Sequence, residues 1–547
     1  MESQRSFLLI GLALVTYLLW EQWQLDHAPQ PVQTPAQIEQ SAAGVQPTAG
    51  SLAESDVPLD HQSAQLAASP THSSIEITTD VLKTKINLLG GDIIDLKLKD
   101  YPEEKDGDTP YTLLSESGAQ LFHAQSGLTG ADGPDASSAG RPLYTATQSS
   151  YTLSGDTLSV PLTYLSPNGL TVTKTFVFTK GEHSVKVNFD VQNNSNSVKN
   201  VQLFAQLKQH VAQAKSSMMM PTYHGAAYSS DEEKYEKVTF DDIADKSINL
   251  HSTGGWVAMI EHYFVTAFIP AANEQIDIST KSLSGGLALI RYKGEAVSVA
   301  PGQSVELSTT LYSGPKDQDK LAELAPSLDL TVDYGILWFI SQPLFHLLQF
   351  LHGLVANWGV AIILITIIVK GCMYTLTKKQ YTSMAKLRQL QPKLNELKSR
   401  YGDDRQKFSQ SMMELYRKEK VNPMGGCLPI LFQMPIFLAL YWVFVESVEL
   451  RHAEFALWIH DLSQQDPFYV LPVLMGVSMF VMQKLQPTPV QDPVQQKIFQ
   501  YMPIAFTFFF LWFPSGLVLY WLVSNIISII QMLMINKSIE KQGLGAK

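Results

Sequence analysis

The chain is poor in cysteine, poor in acid within its apolar runs, and without any compact catalytic motif. Its 547 residues hold two cysteines, Cys372 and Cys427, both in or beside apolar segments. The polar half has none, so it carries no disulfide whichever compartment it occupies. Neither cysteine has a metal-ligand or redox-pair spacing, and no metal or cofactor is expected. There is no phosphate-binding glycine loop, no nucleophile elbow and no His/Glu metal pair. These absences argue against an enzyme and against transport driven by ATP. His210, His224 and Glu232 have no spacing that would make them a catalytic set.

A mean hydropathy of zero hides two unlike halves. Residues 25–332 hold 20 Lys+Arg against 36 Asp+Glu, whereas 333–547 hold 19 against 13 and contain nearly all the long apolar runs. This is the pattern of an acidic soluble domain joined to a membrane domain with basic loops. Ahead of both, Arg5 and the apolar stretch Phe7 to Trp20 read as a membrane anchor over residues 1–24. Glu21 to Gln24 is not a small-residue cleavage site, so the anchor is expected to stay, with Arg5 in the cytoplasm. Residues 25–73, rich in Pro, Gln, Ala and Ser, read as a flexible linker.

From Ser74 to about residue 330 the pattern is β. Ile75, Ile77 and Val81 precede a Gly90-Gly91 turn. Thr171–Phe178 and Ser184–Val191 read as a hairpin around Lys180-Gly181, with Val185, Val187, Phe189 and Val191 on one face. An antiparallel, sandwich-like domain follows. Its acidic stretches, such as Ser230 to Glu233 and Asp241-Asp242, are expected to be solvated loops.

Beyond Asp333, the stretch 336–355 carries Gln342, His346, Gln349 and His352 on one helical face, and Ser341 with Pro343 suits a helix start. The loop Lys378 to Lys420 has twelve Lys+Arg against five Asp+Glu, a cytoplasmic signal. With the β domain outside, 336–355 then lies flat on the outer surface, and 358–377 crosses inward. The loop itself reads as two helices. Leu387, Leu390, Leu394, Leu397 and Tyr401 stripe the first; Phe408, Met412 and Leu415 stripe the second. Gly402 suits an end and Asp403 a start. Four more apolar segments, near 427–446, 468–485, 499–513 and 516–535, bring the count to six spans with both termini cytoplasmic.

Lys370 stands out. It lies eight residues before the expected membrane border at Lys378, about 12 Å in a straight helix. No Asp or Glu lies within the apolar cores to neutralise it, and Glu446 is too near the outer surface to serve. A cation so placed faces a wet cavity or a partner; alternatively the helix ends early and the side chain snorkels. Thr366 lies one turn before it, Gln433 is mid-segment, and Tyr520, Ser524, Ser528 and Gln531 form a polar stripe bordered by Asn525. Such stripes glue helices together, but with an unneutralised Lys370 a water-filled groove accounts for more. Met475, Met479 and Met482 share one helical face, either as ordinary packing or as an adaptable lining. A secondary transporter for a small anion would show inverted repeats, and none is visible.

Six stretches carry a family resemblance: Met1-Glu-Ser-Gln-Arg5, Tyr381-Thr-Ser-Met-Ala385, Val421-Asn-Pro-Met-Gly-Gly-Cys427, Gln433-Met-Pro-Ile-Phe-Leu-Ala-Leu440, Phe455-Ala-Leu-Trp-Ile-His-Asp-Leu462 and Leu511-Trp-Phe-Pro-Ser-Gly-Leu-Val-Leu-Tyr520. Together they resemble the Oxa/Alb/YidC family of membrane protein insertases, in its Gram-negative bacterial form, across essentially the whole chain. The resemblance implies a polytopic α-helical membrane protein of six transmembrane helices, five of them an insertase core, with a large periplasmic antiparallel β-supersandwich. The implied domains are the supersandwich at 74–330, an interfacial amphipathic helix at 331–357, transmembrane helix 2 at 358–378, a cytoplasmic helical hairpin at 379–424, transmembrane helices 3–6 at 425–535 and a short cytoplasmic tail at 536–547.

It further implies a hydrophilic groove open to cytoplasm and lipid, with a positive residue at the position of Lys370. Arginine is usual there, and lysine keeps the charge without the planar fork. Groove positions map onto Thr366, Gln433, Gly516, Tyr520 and Trp521, beside Ser524 and Ser528 of the stripe. Hairpin positions are Tyr381, Met384, Leu387, Asp403 and Met412. The implied partners are nascent inner-membrane proteins, the Sec translocon, the ribosome and signal-recognition machinery, and the phospholipid bilayer, with no direct nucleic-acid binding. The implied location is the bacterial inner membrane.

Overall fold

Strict alternation of apolar and polar residues makes half-buried strands, and it organises the first half of the molecule. The computed structural model describes residues 74–116, 118–136, 140–211, 222–401, 404–419, 428–485 and 493–541. The expected anchor, the linker, Gly402, Asp403, Cys427 and the last half of the tail lie outside the described residues. Strands Leu170–Thr179 and Ser184–Asn193 pair antiparallel with Phe178 opposite Val185. Their turn passes through Gly181 at φ +76, so the expected hairpin is present. Val185, Val187, Phe189 and Val191 are all buried on its inner face.

This hairpin belongs to a nine-stranded sheet. Facing it is a ten-stranded sheet with Lys199–His210 at its middle, between Phe122–Thr129 and Leu287–Val299. Ile77, Leu96 and Leu207 of one sheet share a single core with Phe178, Val187 and Phe189 of the other, the arrangement of a sandwich. Asp241 and Asp242 are exposed, as expected, but they do not sit in a loop. They open a helix, α1 (Phe240–Asp245), and Asp242 completes a capping box with Thr239, so local hydrogen bonding orders them. Within the sandwich, Lys174 is fully buried. Its ammonium donates to the carbonyls of Gly90 (3.1 Å), Gly91 (2.8 Å) and Ser126 (2.8 Å). Those two glycines form the expected turn, both at positive φ, and Arg141 pairs with Asp92 and Asp135 beside it.

Helix α2 (Gln318–Leu324) leads toward the helical half, which comprises α3 (Trp338–Val355), α4 (Trp358–Cys372), α5 (Tyr374–Gln389), α6 (Gln391–Tyr401), α7 (Arg405–Lys418), α8 (Leu428–Glu446), α9 (Val470–Leu485), α10 (Pro493–Phe509) and α11 (Ser515–Lys541). Helix α3 starts at Trp338, so Ser341 and Pro343 lie within it. Ser341 is buried and donates to the Ala439 carbonyl of α8. Phe345, Leu348 and Leu351 face the core, while Trp338, Phe339, Phe350 and Leu354 are exposed.

The segment expected to cross inward at 358–377 is not one continuous helix. Helix α4 ends at Cys372, and α5 leaves at 61°. Gly371 precedes the break, and glycine weakens a helix interior. The new direction lets Tyr381 pack on Met532, Ile535 and Ile539 of α11. Among the described residues, one helix, Ser515–Ile539, is long and apolar enough to cross a membrane, and α4 with α5 qualifies as a bent pair; Gln433–Glu446 and Val470–Leu485 are shorter.

The leucine stripe of the hairpin is divided between α5 and α6. Leu387, Leu390 and Leu394 are buried, with Met384 and Tyr416 packed on Leu387 and Leu390. Met412 is half-buried. The N-cap of α7 is Asp404, whose side chain accepts from the Lys407 N–H at 3.1 Å.

The two halves are joined by buried polar contacts. Lys316 pairs with Glu446 at 2.8 Å. The His262 ring lies 2.8 Å from the Val445 carbonyl at the end of α8. Burial holds His262 near pKa 3, so it is neutral; its Nε2 must then carry the proton to donate there. Arg451 donates to the carbonyls of Pro102 (2.7 Å) and Glu103 (3.2 Å), and its guanidinium lies over the rings of Tyr111 and Phe264.

Candidate functional site

Three helices meet around Lys370. Asn357 caps α4 by accepting from the Val360 N–H, and thirteen residues later Lys370 sits in the last turn. Its ammonium lies 3.0 Å from Ser528 Oγ of α11 and 3.5 Å from Gln433 Oε1 of α8. Ser528 Oγ can accept there because it donates its own proton to the Ser524 carbonyl at 2.8 Å. Gln531, one turn further along α11, donates to the Lys370 carbonyl at 3.1 Å. Among the described residues no carboxylate pairs with Lys370. The helix does end early, as one sequence alternative held, but the side chain is half-buried and turned onto neutral partners between helices.

The sequence-derived site residues divide into two groups. Lys370, Gln433 and Ser528 come together, with Ser524 and Gln531 supporting them. Thr366 does not join them: it is fully buried, and its hydroxyl donates to the Ile362 carbonyl at 2.6 Å within its own helix. Tyr520 is buried beside Phe437 and Phe444, and its hydroxyl is hydrogen-bonded to the Gln433 side chain, which ties it to the Lys370 group. Trp521 is half-buried and set edge-on to Phe437, ring centres 4.5 Å apart. Gly516 begins α11, where its N–H donates to the Leu462 carbonyl at 2.9 Å. A Cβ there would lie 3.2 Å from that oxygen, so its role is close packing. Asn525 turns away to Ser478 of α9, at 3.0 Å. Met475 is fully buried in the core, which makes it packing rather than lining.

Sequence reasoning missed the pairing of Lys316 with Glu446. The signal was a carboxylate at the very end of an apolar helix, but nothing local named its partner. Large apolar side chains on two of the helices that pack on α11 are exposed, Ile367 and Ile368 of α4 and Val473, Leu474, Val477 and Phe480 of α9, surfaces that call for a membrane or partner. Among the described residues no group of His, Cys, Asp and Glu could hold a metal ion.

A two-sheet domain carried on apolar helices, with a partly buried cation among neutral polar side chains, defines a membrane protein with a large extramembrane domain. The family model described as YidC periplasmic domain matches residues 74–347, and that described as 60Kd inner membrane protein matches residues 350–542. The chain is 54% identical to the membrane protein insertase YidC of Pseudoalteromonas atlantica (strain T6c / ATCC BAA-1087) and 54% identical to that of Shewanella halifaxensis (strain HAW-EB4), in each case covering 100% of both chains. A solved structure titled "Active YidC insertase crystal structure with the first transmembrane domain resolved" aligns with 84% of this chain and 92% of its own at 20% identity and a TM-score of 0.37. The chain belongs to the YidC family of membrane protein insertases. That is a family of insertases and not of enzymes, acting on inner-membrane proteins, and its β domain is periplasmic.

Proposed function

We propose that α4, α8 and α11 bound a hydrophilic groove, open to the cytoplasm, in which Lys370 receives the acidic tail or loop of an incoming membrane protein. The observation that carries this reading is the ammonium's set of partners: a hydroxyl and an amide, with no carboxylate among the described residues. Such a cation keeps its charge available for a substrate carboxylate, and pairing in a low-dielectric groove is stronger than in water. Gln433, Ser528 and Ser524 lower the cost of carrying polar residues part-way across, while Tyr520, Trp521, Gly516 and the buried Thr366 shape the wall. The substrate's apolar segment then leaves between helices into lipid, driven by burial of its surface. The membrane potential adds about 2.3 kcal/mol per outward-moving negative charge per 100 mV. No covalent step is needed.

The rest of the arrangement follows the same reading. Six spans place both termini in the cytoplasm, within the domain boundaries expected from the sequence. The basic hairpin, with Tyr381, Met384, Leu387, Asp403 and Met412, receives the substrate or docks the ribosome and signal-recognition machinery. The protein acts alone or beside the Sec translocon. The test is insertion of a small single- or double-spanning protein with an acidic tail into liposomes holding the full chain. Lys370→Ala and Lys370→Glu are expected to abolish insertion, and Lys370→Arg to support it. Equal insertion by all four proteins would make Lys370 a snorkelling anchor and sink the proposal.

A further inference from the structure

Helix α11 grips Lys370 at both ends. Ser528 meets the ammonium, and Gln531, three residues on and so on the same face, donates to the backbone carbonyl at 3.1 Å. That carbonyl lies in the last turn of α4, where a helix leaves its carbonyls without partners further along. The chain bends by 61° immediately afterward, so nothing in a straight continuation fixes the direction of this turn. Gln531 is itself buried, and its Oε1 has no partner among the described residues. The bond to Lys370 is therefore what orients this amide, because its oxygen end cannot face another carbonyl. A glutamine serving only as helix glue would satisfy both ends.

We propose that Gln531 is a positioning residue for Lys370. By fixing the terminal turn of α4 it sets where the lysine stem starts, so that the ammonium reaches Ser528 and an incoming carboxylate instead of swinging toward the cytoplasmic surface. This rests on the groove reading of Lys370 given above.

The test uses the full chain in liposomes and two substrates: a single-spanning protein with an acidic tail, and the same protein with its tail carboxylates replaced by amides. Gln531→Met keeps side-chain length and removes the donor. It is expected to slow insertion of the acidic substrate by roughly three- to tenfold, the scale of one hydrogen bond, and to leave the amide substrate at the wild-type rate. In a Lys370→Ala background, where the acidic substrate no longer inserts, the same substitution should leave the amide substrate at the rate of Lys370→Ala alone. As a direct readout, Lys370→Cys in a Cys372→Ser, Cys427→Ser chain should change its labelling rate with a water-soluble thiol reagent when Gln531→Met is introduced. Equal slowing of both substrates, or slowing of the amide substrate in the Lys370→Ala background, would show a merely structural role and overturn the proposal. Harm from Lys370→Ala but none from Gln531→Met overturns this inference alone. No effect of Lys370→Ala overturns both readings. If Gln531→Met fails to accumulate in membranes, Gln531→Asn, which keeps the amide but shortens its reach, is read against the same expectations.

Discussion

Lys316 and Glu446 form a buried ion pair, 2.8 Å between Nζ and Oε2, across 130 residues of chain. Their side chains are 2% and 5% exposed. Lys316 directly follows the last strand of the β domain, Ser304–Pro315, and Glu446 ends α8, the helix that carries Gln433. With the His262 contact to Val445, the pair makes the β domain the outer cap of that helix.

Removing one partner strands the other as a buried charge. Lys316→Ala or Glu446→Ala should each destabilise the protein by about 3–5 kcal/mol. The exchange Lys316→Glu with Glu446→Lys should recover part of that loss. Thermal unfolding followed by tryptophan fluorescence checks both, and single-variant midpoints equal to wild type would mean that the pair is solvated.

Glu261 lies beneath Tyr111, whose hydroxyl donates to it at 2.9 Å, and burial pushes its pKa up to about 7. A carboxyl raised in the folded state favours folding below its unfolded pKa, near 4.5, and loses that contribution as pH rises through 7. Glu261→Gln should thus be near neutral at pH 4 and more stable than wild type at pH 8, by on the order of 1–3 kcal/mol. Denaturation midpoints at the two pH values give the comparison. A variant that tracks wild type across the range would place Glu261 in water.

Tyr381, one of the residues expected in the hairpin, packs on Met532, Ile535 and Ile539 of α11. Tyr381→Ala should cost about 3 kcal/mol of local packing, seen as faster protease cleavage of the hairpin. Tyr381→Phe, which keeps the ring, should stay within about 1 kcal/mol of wild type. Unchanged cleavage in the alanine variant would return Tyr381 to a surface role.

Lys174 donates to three carbonyls inside the sandwich. Lys174→Met fills the same space but removes all three bonds; Arg141 still donates to the Gly90 (3.2 Å) and Ser126 (3.1 Å) carbonyls, so the Gly91 carbonyl is the one left without its donor, at about 1–3 kcal/mol. The expected outcome is a β domain that unfolds at much lower denaturant while α-helical circular dichroism persists. A wild-type denaturation curve would show that the Gly91 carbonyl finds another donor.

What the sequence determined by itself was local in origin. The acidic and basic halves, the hairpin from Thr171 to Val191, the apolar helices and the cation without an acid nearby all follow from composition or from periodicities of 2 and 3.6 residues. Neighbours along the chain decide these, so they can be read without a fold. Only the tertiary structure decided which residues meet. Thr366 and Lys370 share a face one turn apart, yet packing buries the first and leaves the second between helices. The bend after Cys372 arises because α5 gains an apolar seat on α11, 150 residues away in the chain. Gln433, Ser528 and Gln531 reach Lys370 from two other helices, and Lys316 finds Glu446 across the domain boundary. Each of these depends on which surfaces bury one another, a choice made by long-range packing that no window of sequence contains.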